Sequence, residues 1–113
     1  MHEMSLSQSA LDLIMQQARR HGAHKVTDVW LEVGALSCIE QSALRFCFDA
    51  VCRNTPAQGC ALHIAVRPAH AWCWACATVV EVREYGEGCP HCGGLGWRVE
   101  DGDSVRVKQV ALE

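Results

Sequence analysis

Two Cys-x-x-Cys turns, Cys73-x-x-Cys76 and Cys89-x-x-Cys92, stand twelve residues apart in the C-terminal half of the chain and constrain its folding more than any other feature. Each turn presents two thiolates to one ion, and two such turns complete the tetrahedral sulfur shell that Zn(II) favours. A closed shell leaves no position for a substrate. The site is therefore read as structural, a Zn(II) that folds a segment too small to hold itself together. Eight cysteines in 113 residues must mean disulfides, metal or both, and compartment decides between them. The start Met1-His2-Glu3-Met4-Ser5 lacks the positive flank, apolar core and small-residue cleavage site of a secretory signal. A cytoplasmic protein is expected, in which cysteines at ligand spacing are ligands rather than bridges. No stretch approaches the ~20 apolar residues that span a bilayer, so no membrane partner is expected.

Two other uses of the cysteines can be weighed from the residues. Trp72-Cys73-Trp74-Ala75-Cys76 is superficially similar to the Trp-Cys-x-x-Cys of thioredoxin-like enzymes, whose first cysteine sits at a helix N-terminus. The residues after Cys76 are β-branched and strand-like, and the second Cys-x-x-Cys would be left unexplained. A nucleic-acid ribbon fits no better, because Arg83 faces Glu81, Glu84 and Glu87 between the two turns and the chain carries a formal charge of -3. Phosphate binding shows as a basic excess. His70 and His91 are close enough in sequence to compete as ligands and are read as exposed loop histidines. Cys38, Cys47, Cys52 and Cys60 have no ligand spacing and are read as core or surface thiols.

The remainder predicts an α+β fold: a small sheet with two helices, plus an inserted zinc-ribbon-like four-cysteine module. Half the chain is hydrophobic and a fifth charged, a globular composition rather than a disordered one. Ser5-x-x-Gln8 has the form of a capping box, and Leu6, Ala10, Leu13, Ile14 and Ala18 follow at helical spacing, so a helix is expected over about 6–20 and is stopped by Gly22. Thr27, Val29, Leu31 and Val33 share one parity, the period of a strand with one buried face. A second box, Ser37-x-x-Glu40, precedes Leu44, Cys47, Phe48 and Val51 on one helix face. Leu62, Ile64 and Val66 alternate with His63, Ala65 and Arg67 in a second strand. Asp101-Gly102-Asp103 is expected to turn a hairpin between 97–100 and 104–107. Apolar parity shifts between Val107 and Val110, which returns the last residues to the first sheet. The expected organisation is an α+β domain over 1–70, completed by 104–113, and a zinc module over 71–103.

By the residues alone, His2 is a histidine on a fraying terminus. Its chemistry permits more. The amine of Met1, the backbone nitrogen of His2 and its imidazole can close adjacent chelate rings around one ion, a planar all-nitrogen set that suits Ni(II) or Cu(II) and not tetrahedral Zn(II). Met1 is expected to stay in place, since a bulky second residue generally prevents its removal.

The Met1-His2-Glu3-Met4-Ser5 start before an amphipathic helix, the run Val29-Trp30-Leu31-Glu32-Val33-Gly34-Ala35-Leu36-Ser37, and the paired Cys-x-x-Cys motifs together resemble the HypA/HybF family of hydrogenase maturation proteins. The match covers essentially the whole chain, and Trp72-Cys73-Trp74 leans toward the HybF branch. The resemblance implies a nickel metallochaperone that delivers Ni(II) to the large subunit of a [NiFe]-hydrogenase, working with a GTPase of the HypB family. It further implies that Met1 supplies its amine, His2 its imidazole and backbone nitrogen, and that Glu3 completes the plane, while Cys73, Cys76, Cys89 and Cys92 hold Zn(II). Some relatives carry a histidine just beyond a Cys-x-x-Cys pair; Thr78 and Gly93 stand in those neighbourhoods here, so zinc-site switching is not carried over. Nothing in the chain has the form of a nucleophile–base pair, a phosphate loop or an open metal site, and a carrier rather than an enzyme is expected, as monomer or homodimer. The competing reading is a zinc-knuckle docking module without metal transfer.

Overall fold

The computed structural model describes residues 3–113. Along the chain run α1 (Glu3–Arg20), β1 (Val26–Gly34), α2 (Gln41–Cys52), β2 (Ala61–Arg67), β3 (Ala69–Cys73), β4 (Thr78–Val82), β5 (Trp97–Asp101) and β6 (Val105–Leu112). The strands form two three-stranded sheets, β2-β1-β6 and β4-β3-β5. The α+β class read from the sequence is the class observed. The chain divides into two compact units, one of residues 1–32, 39–65 and 106–113 and one of residues 33–38 and 66–105. Residues 33–38, expected in the first domain, thus lie in the second unit. Their backbone explains it: Ala35 N donates to Arg67 O, Leu36 N to Gly102 O and Gly34 N to Ser104 O.

In the first unit α1 packs against α2. The buried stripe of α1 is Ser7, Ala10, Leu11, Ile14 and Ala18, which leaves Leu13 on the exposed side at 54%. Ser5 is no N-cap, because the helix already includes Glu3 and Gln8 Nε2 donates forward to Asp12 Oδ1 at 3.0 Å. The box at Ser37 likewise gives way to Glu40, whose carboxylate accepts from Ser42 N at 3.1 Å and Ala43 N at 2.8 Å and so satisfies two otherwise orphaned donors. These bonds hold the Glu40 carboxyl below the usual glutamate range, the Ser42 hydroxyl contributing most. On α2 the buried positions are Leu44, Phe48 and Cys52, so the apolar stripe ends on Cys52 rather than Val51.

The alternation in β1 is kept at Val29, Leu31 and Val33, but Glu32 is buried too; Arg106 Nε donates to its carboxylate. The start of β1 meets the end of β6 through His24 N and Lys25 N on Glu113 O, the return of the C-terminal residues expected from the parity shift. Consecutive exposed residues at Lys108 and Gln109 mark that shift. No hairpin forms at Asp101-Gly102-Asp103. β5 pairs antiparallel with β3 while β6 joins the sheet of β1, because Gly102, at φ +91, carries the chain out of one sheet and into the other.

On the open face of the first sheet, His63 stacks on Trp30 with ring centroids 4.7 Å apart and its Nε2 lies 2.9 Å from Asp28 Oδ2. The His63 contact, with help from the Thr27 hydroxyl, holds the Asp28 carboxyl below its ordinary range; His70 does the same to Asp101. A depressed folded-state pKa contributes stability that is present above the unfolded value, about 3.9, and is lost as pH falls through the folded value. Carboxyl-resolved NMR is expected to show both aspartates titrating below the ordinary aspartate midpoint, with stability falling across that acid window. Ordinary midpoints for both would contradict the pairing.

Candidate metal centre

The second unit has its own small core of Leu36, Ala69, Ala71, Cys73, Val80, Val82 and Cys89. Two of its seven members are candidate ligands, so the thiols stand where a larger domain would have more aliphatic side chains. β3 and β4 form an antiparallel pair in which Cys73 faces Thr78 and Ala71 faces Val80. The first Cys-x-x-Cys is the turn of that hairpin, with Ala77 N donating to Cys73 O at 2.9 Å and Ala77 at φ 51. Cys73 therefore ends a strand, and the helix N-terminus that thioredoxin-like chemistry requires is not there.

The second Cys-x-x-Cys is a tight loop. Cys89 N donates to Gly94 O and Gly93 N to Cys89 O, each at 2.8 Å. Trp97 Nε1 reaches Glu87 O at 2.9 Å and Tyr85 stacks on Trp97, which ties the approach to this loop to β5. Glu87 accepts from the N–H groups of Arg83 and Glu84, and they lower its pKa from the usual glutamate range.

The four sulfurs converge. Cys73 Sγ and Cys92 Sγ are 3.7 Å apart, Cys76 Sγ and Cys89 Sγ 3.9 Å, and all four lie within 4.8 Å of one another. Four sulfurs at about 2.3 Å from a shared centre in a tetrahedron are separated by about 3.8 Å, so the donor set and its spacing suit one tetrahedral Zn(II). The backbone supports thiolate ligands: His91 N donates to Cys89 Sγ and Gly94 N to Cys92 Sγ, both at 3.4 Å. The N–H of Cys92 first, and then that of His91, draw the Cys89 thiol down to about 6. Cys76 is pushed up to about 12, chiefly by its hydrogen bond with Cys92 and then by burial.

The histidines stay outside this cluster. His91 contributes its backbone and leaves its side chain exposed. His70 turns its Nδ1 to Asp101 Oδ1 at 2.8 Å. Of the residues expected to hold nickel, Met1 and His2 lie outside the described residues; Glu3 opens α1, half-buried, where its charge complements the helix dipole. Sequence spacing gave no sign that Cys52 and Cys60 line a common cavity, because seven residues intervene and only the fold of the α2–β2 connection brings them together.

A sulfur cluster of this shape occurs in many unrelated small domains, so the comparison of whole chains decides the family. A family model described as hydrogenase/urease nickel incorporation, metallochaperone, hypA matches residues 1–112. The chain belongs to the HypA family. It is 57% identical to hydrogenase maturation factor HybF of Salmonella typhimurium (strain LT2), 56% identical to HybF of Klebsiella pneumoniae and 54% identical to HybF of Escherichia coli K12, in each case over the full length of both chains. The fold matches the solution structure of the Ni metallochaperone HypA from Helicobacter pylori at a TM-score of 0.75 and 21% identity, covering 99% of this chain and 97% of that one. A second HypA solution structure matches at 0.73. The resemblance drawn from the Met-His-Glu start and the paired cysteines therefore named the right HypA/HybF family, that of nickel metallochaperones in hydrogenase maturation. Among the described residues no helix is long and apolar enough to cross a membrane.

Proposed function

We propose that this protein is a nickel carrier, not an enzyme, that hands Ni(II) to the large subunit of a [NiFe]-hydrogenase in the cytoplasm, and that Cys73, Cys76, Cys89 and Cys92 hold a resident structural Zn(II). The observation that carries this reading is the family match across residues 1–112, which includes the Met-His-Glu start. Nickel is bound as cargo by the Met1 amine, the His2 imidazole and backbone nitrogen, and the backbone nitrogen of Glu3. A GTPase of the HypB family acts with it. Two donor sets of different character sort two metals: four thiolates in a tetrahedral array for zinc, and nitrogen donors able to lie in one plane for nickel. A site at the chain terminus can shed ligands one at a time to an acceptor, which reconciles selective binding with release.

The test is a Ni(II) titration of untagged, zinc-loaded protein with an authentic Met1, beside His2→Ala. The wild type is expected to bind nickel with zinc retained. His2→Ala is expected to lose tenfold or more in affinity, at least about 1.4 kcal/mol, with an unchanged fold. Binding should weaken on acidification, since protons compete for an amine of pKa about 7.7–8.0 and an imidazole near 6.5. Equal binding by both proteins, or nickel entering only as zinc leaves, would refute the terminal site and favour a docking module built on the zinc knuckle.

A further inference from the structure

Cys52 and Cys60 take no part in the metal centre. Cys52 is the last residue of α2 and is 2% exposed; Cys60 is half-buried and immediately precedes β2. Both line one cavity of about 180 Å³, together with Phe48, Asp49, Ala57 and Leu62. Both are free thiols, and each sits close enough to act on the other's ionisation. The connection between them is rigid for its length. Thr55 holds Cys52 O through its backbone N–H at 3.1 Å and its hydroxyl at 2.6 Å, Cys60 N donates to Ala57 O at 3.1 Å, and Asn54 N to Gln58 Oε1 at 2.7 Å. The loop thus fixes where the two residues face the shared cavity.

We propose that Cys52 and Cys60 are a reversible dithiol–disulfide site, closed by exchange with a small-molecule disulfide of the glutathione class. Cys60, the more accessible, attacks the small disulfide as a thiolate; a Cys60–glutathione mixed disulfide forms and one glutathione thiolate leaves. The Cys52 thiolate then attacks the Cys60 sulfur, the Cys52–Cys60 bond forms, and the second glutathione leaves. The protein gives up two electrons and two protons, and the small disulfide takes them up as two thiols. The product links the end of α2 to the start of β2 without drawing distant segments together.

The same surroundings set the rates. Burial and the neighbouring Cys60 push the Cys52 thiol up to about 12, and burial raises Cys60 as well. Closure is slow at neutral pH and speeds up as pH rises, by about tenfold per unit for each thiol while the solution stays below its pKa. A sulfur whose thiol has a high pKa is also a poor leaving group, so the closed form resists reduction once made.

The experiment treats zinc-loaded, full-length protein with oxidised glutathione and maps it with trypsin. Cleavage after Arg45, Arg53 and Arg83, with Pro68 blocking the bond after Arg67, separates peptide 46–53 from peptide 54–83, and the latter holds Cys60 together with Cys73 and Cys76. A Cys47→Ser background leaves Cys52 alone in the former. The expected result is a linked pair of these peptides that falls apart on reduction, forms faster at higher pH, and raises the unfolding midpoint of the protein. Cys60→Ser abolishes the link, and Cys52→Ser leaves glutathione on Cys60. Tandem fragmentation of the linked pair from the unmodified protein assigns the bridging sulfur without relying on any variant. Peptides that remain unlinked, a bridge that starts at Cys47 or ends at Cys73 or Cys76, or a link that appears only after zinc is lost would each overturn the proposal.

Discussion

Removal of the metal from the four-cysteine centre is expected to cost residues 66–105 their backbone protection, while the amides of α1 and α2 lose far less. The reason is the composition of the second unit's core. Of its seven buried members, Ala69, Ala71, Cys73 and Cys89 contribute little or no aliphatic area, and β4 exposes Thr78, Val79 and Glu81. A structural Zn(II) contributes about 10–16 kcal/mol of apparent binding free energy, against about 2–5 kcal/mol for a large-to-small change in a core. Cys73→Ala should reproduce much of the loss, because it deletes one ligand and a buried strand residue together. The checks are metal-to-protein stoichiometry and hydrogen exchange, before and after a strong chelator at neutral pH. Protection in β3, β4 and β5 that persisted in the metal-free protein would show the thiols to be ordinary core residues. His2→Ala should leave this protection intact, which separates a failure of the zinc centre from a failure of the nickel site.

Gly102→Ala is expected to be among the most damaging single-methyl additions in the chain's second unit. A Cβ at this position would lie 2.4 Å from both Ala69 Cα and Ala69 Cβ, and Ala69 is fully buried in β3, paired with Val82. The obstacle is backbone on a paired strand, not a flexible side chain that could swing away. Two costs add: about 1–2 kcal/mol for an L-residue in the left-handed region and about 1–3 kcal/mol for overpacking. A loss of about 2–5 kcal/mol is expected, read as a fall in the urea midpoint. Gly59→Ala is the control. Its φ of +74 carries the first cost, yet nothing lies within 4 Å of its new methyl. If the two variants lost the same stability, the steric part of the account would be wrong.

The metal centre was legible before any coordinates because a Cys-x-x-Cys turn is local. Four residues determine which way two sulfurs point, and two such turns need only one ion between them to meet. The strands around them were partly legible for the same reason, in the alternation at Val29, Leu31 and Val33 and at Leu62 and Ile64. Capping was read less well. Ser5-x-x-Gln8 and Ser37-x-x-Glu40 have the right residues at the right spacing, but where a helix begins also depends on what its first turn packs against. Glu40 supplied the cap of α2 directly.

Pairing of distant segments lay beyond local pattern. The residues 97–107 read as a hairpin about Asp101-Gly102-Asp103 because an Asp-Gly turn flanked by alternating residues is a hairpin signal at short range. The fold instead sends β5 to β3 and β6 to β1, a choice set by contacts some thirty and more than seventy residues away, His70 with Asp101 and Glu32 with Arg106. The cavity shared by Cys52 and Cys60 was hidden for a related reason: seven intervening residues carry no ligand spacing, and the turn that closes them is held by Thr55 and Gln58. Local chemistry in the chain thus specified the sulfur centre, since it depends on short motifs, and the Met-His-Glu start joined to the paired turns pointed to the family that the whole chain matches. Only tertiary packing settled which strands share a sheet and which thiols meet, because those depend on burial that no short window of residues contains.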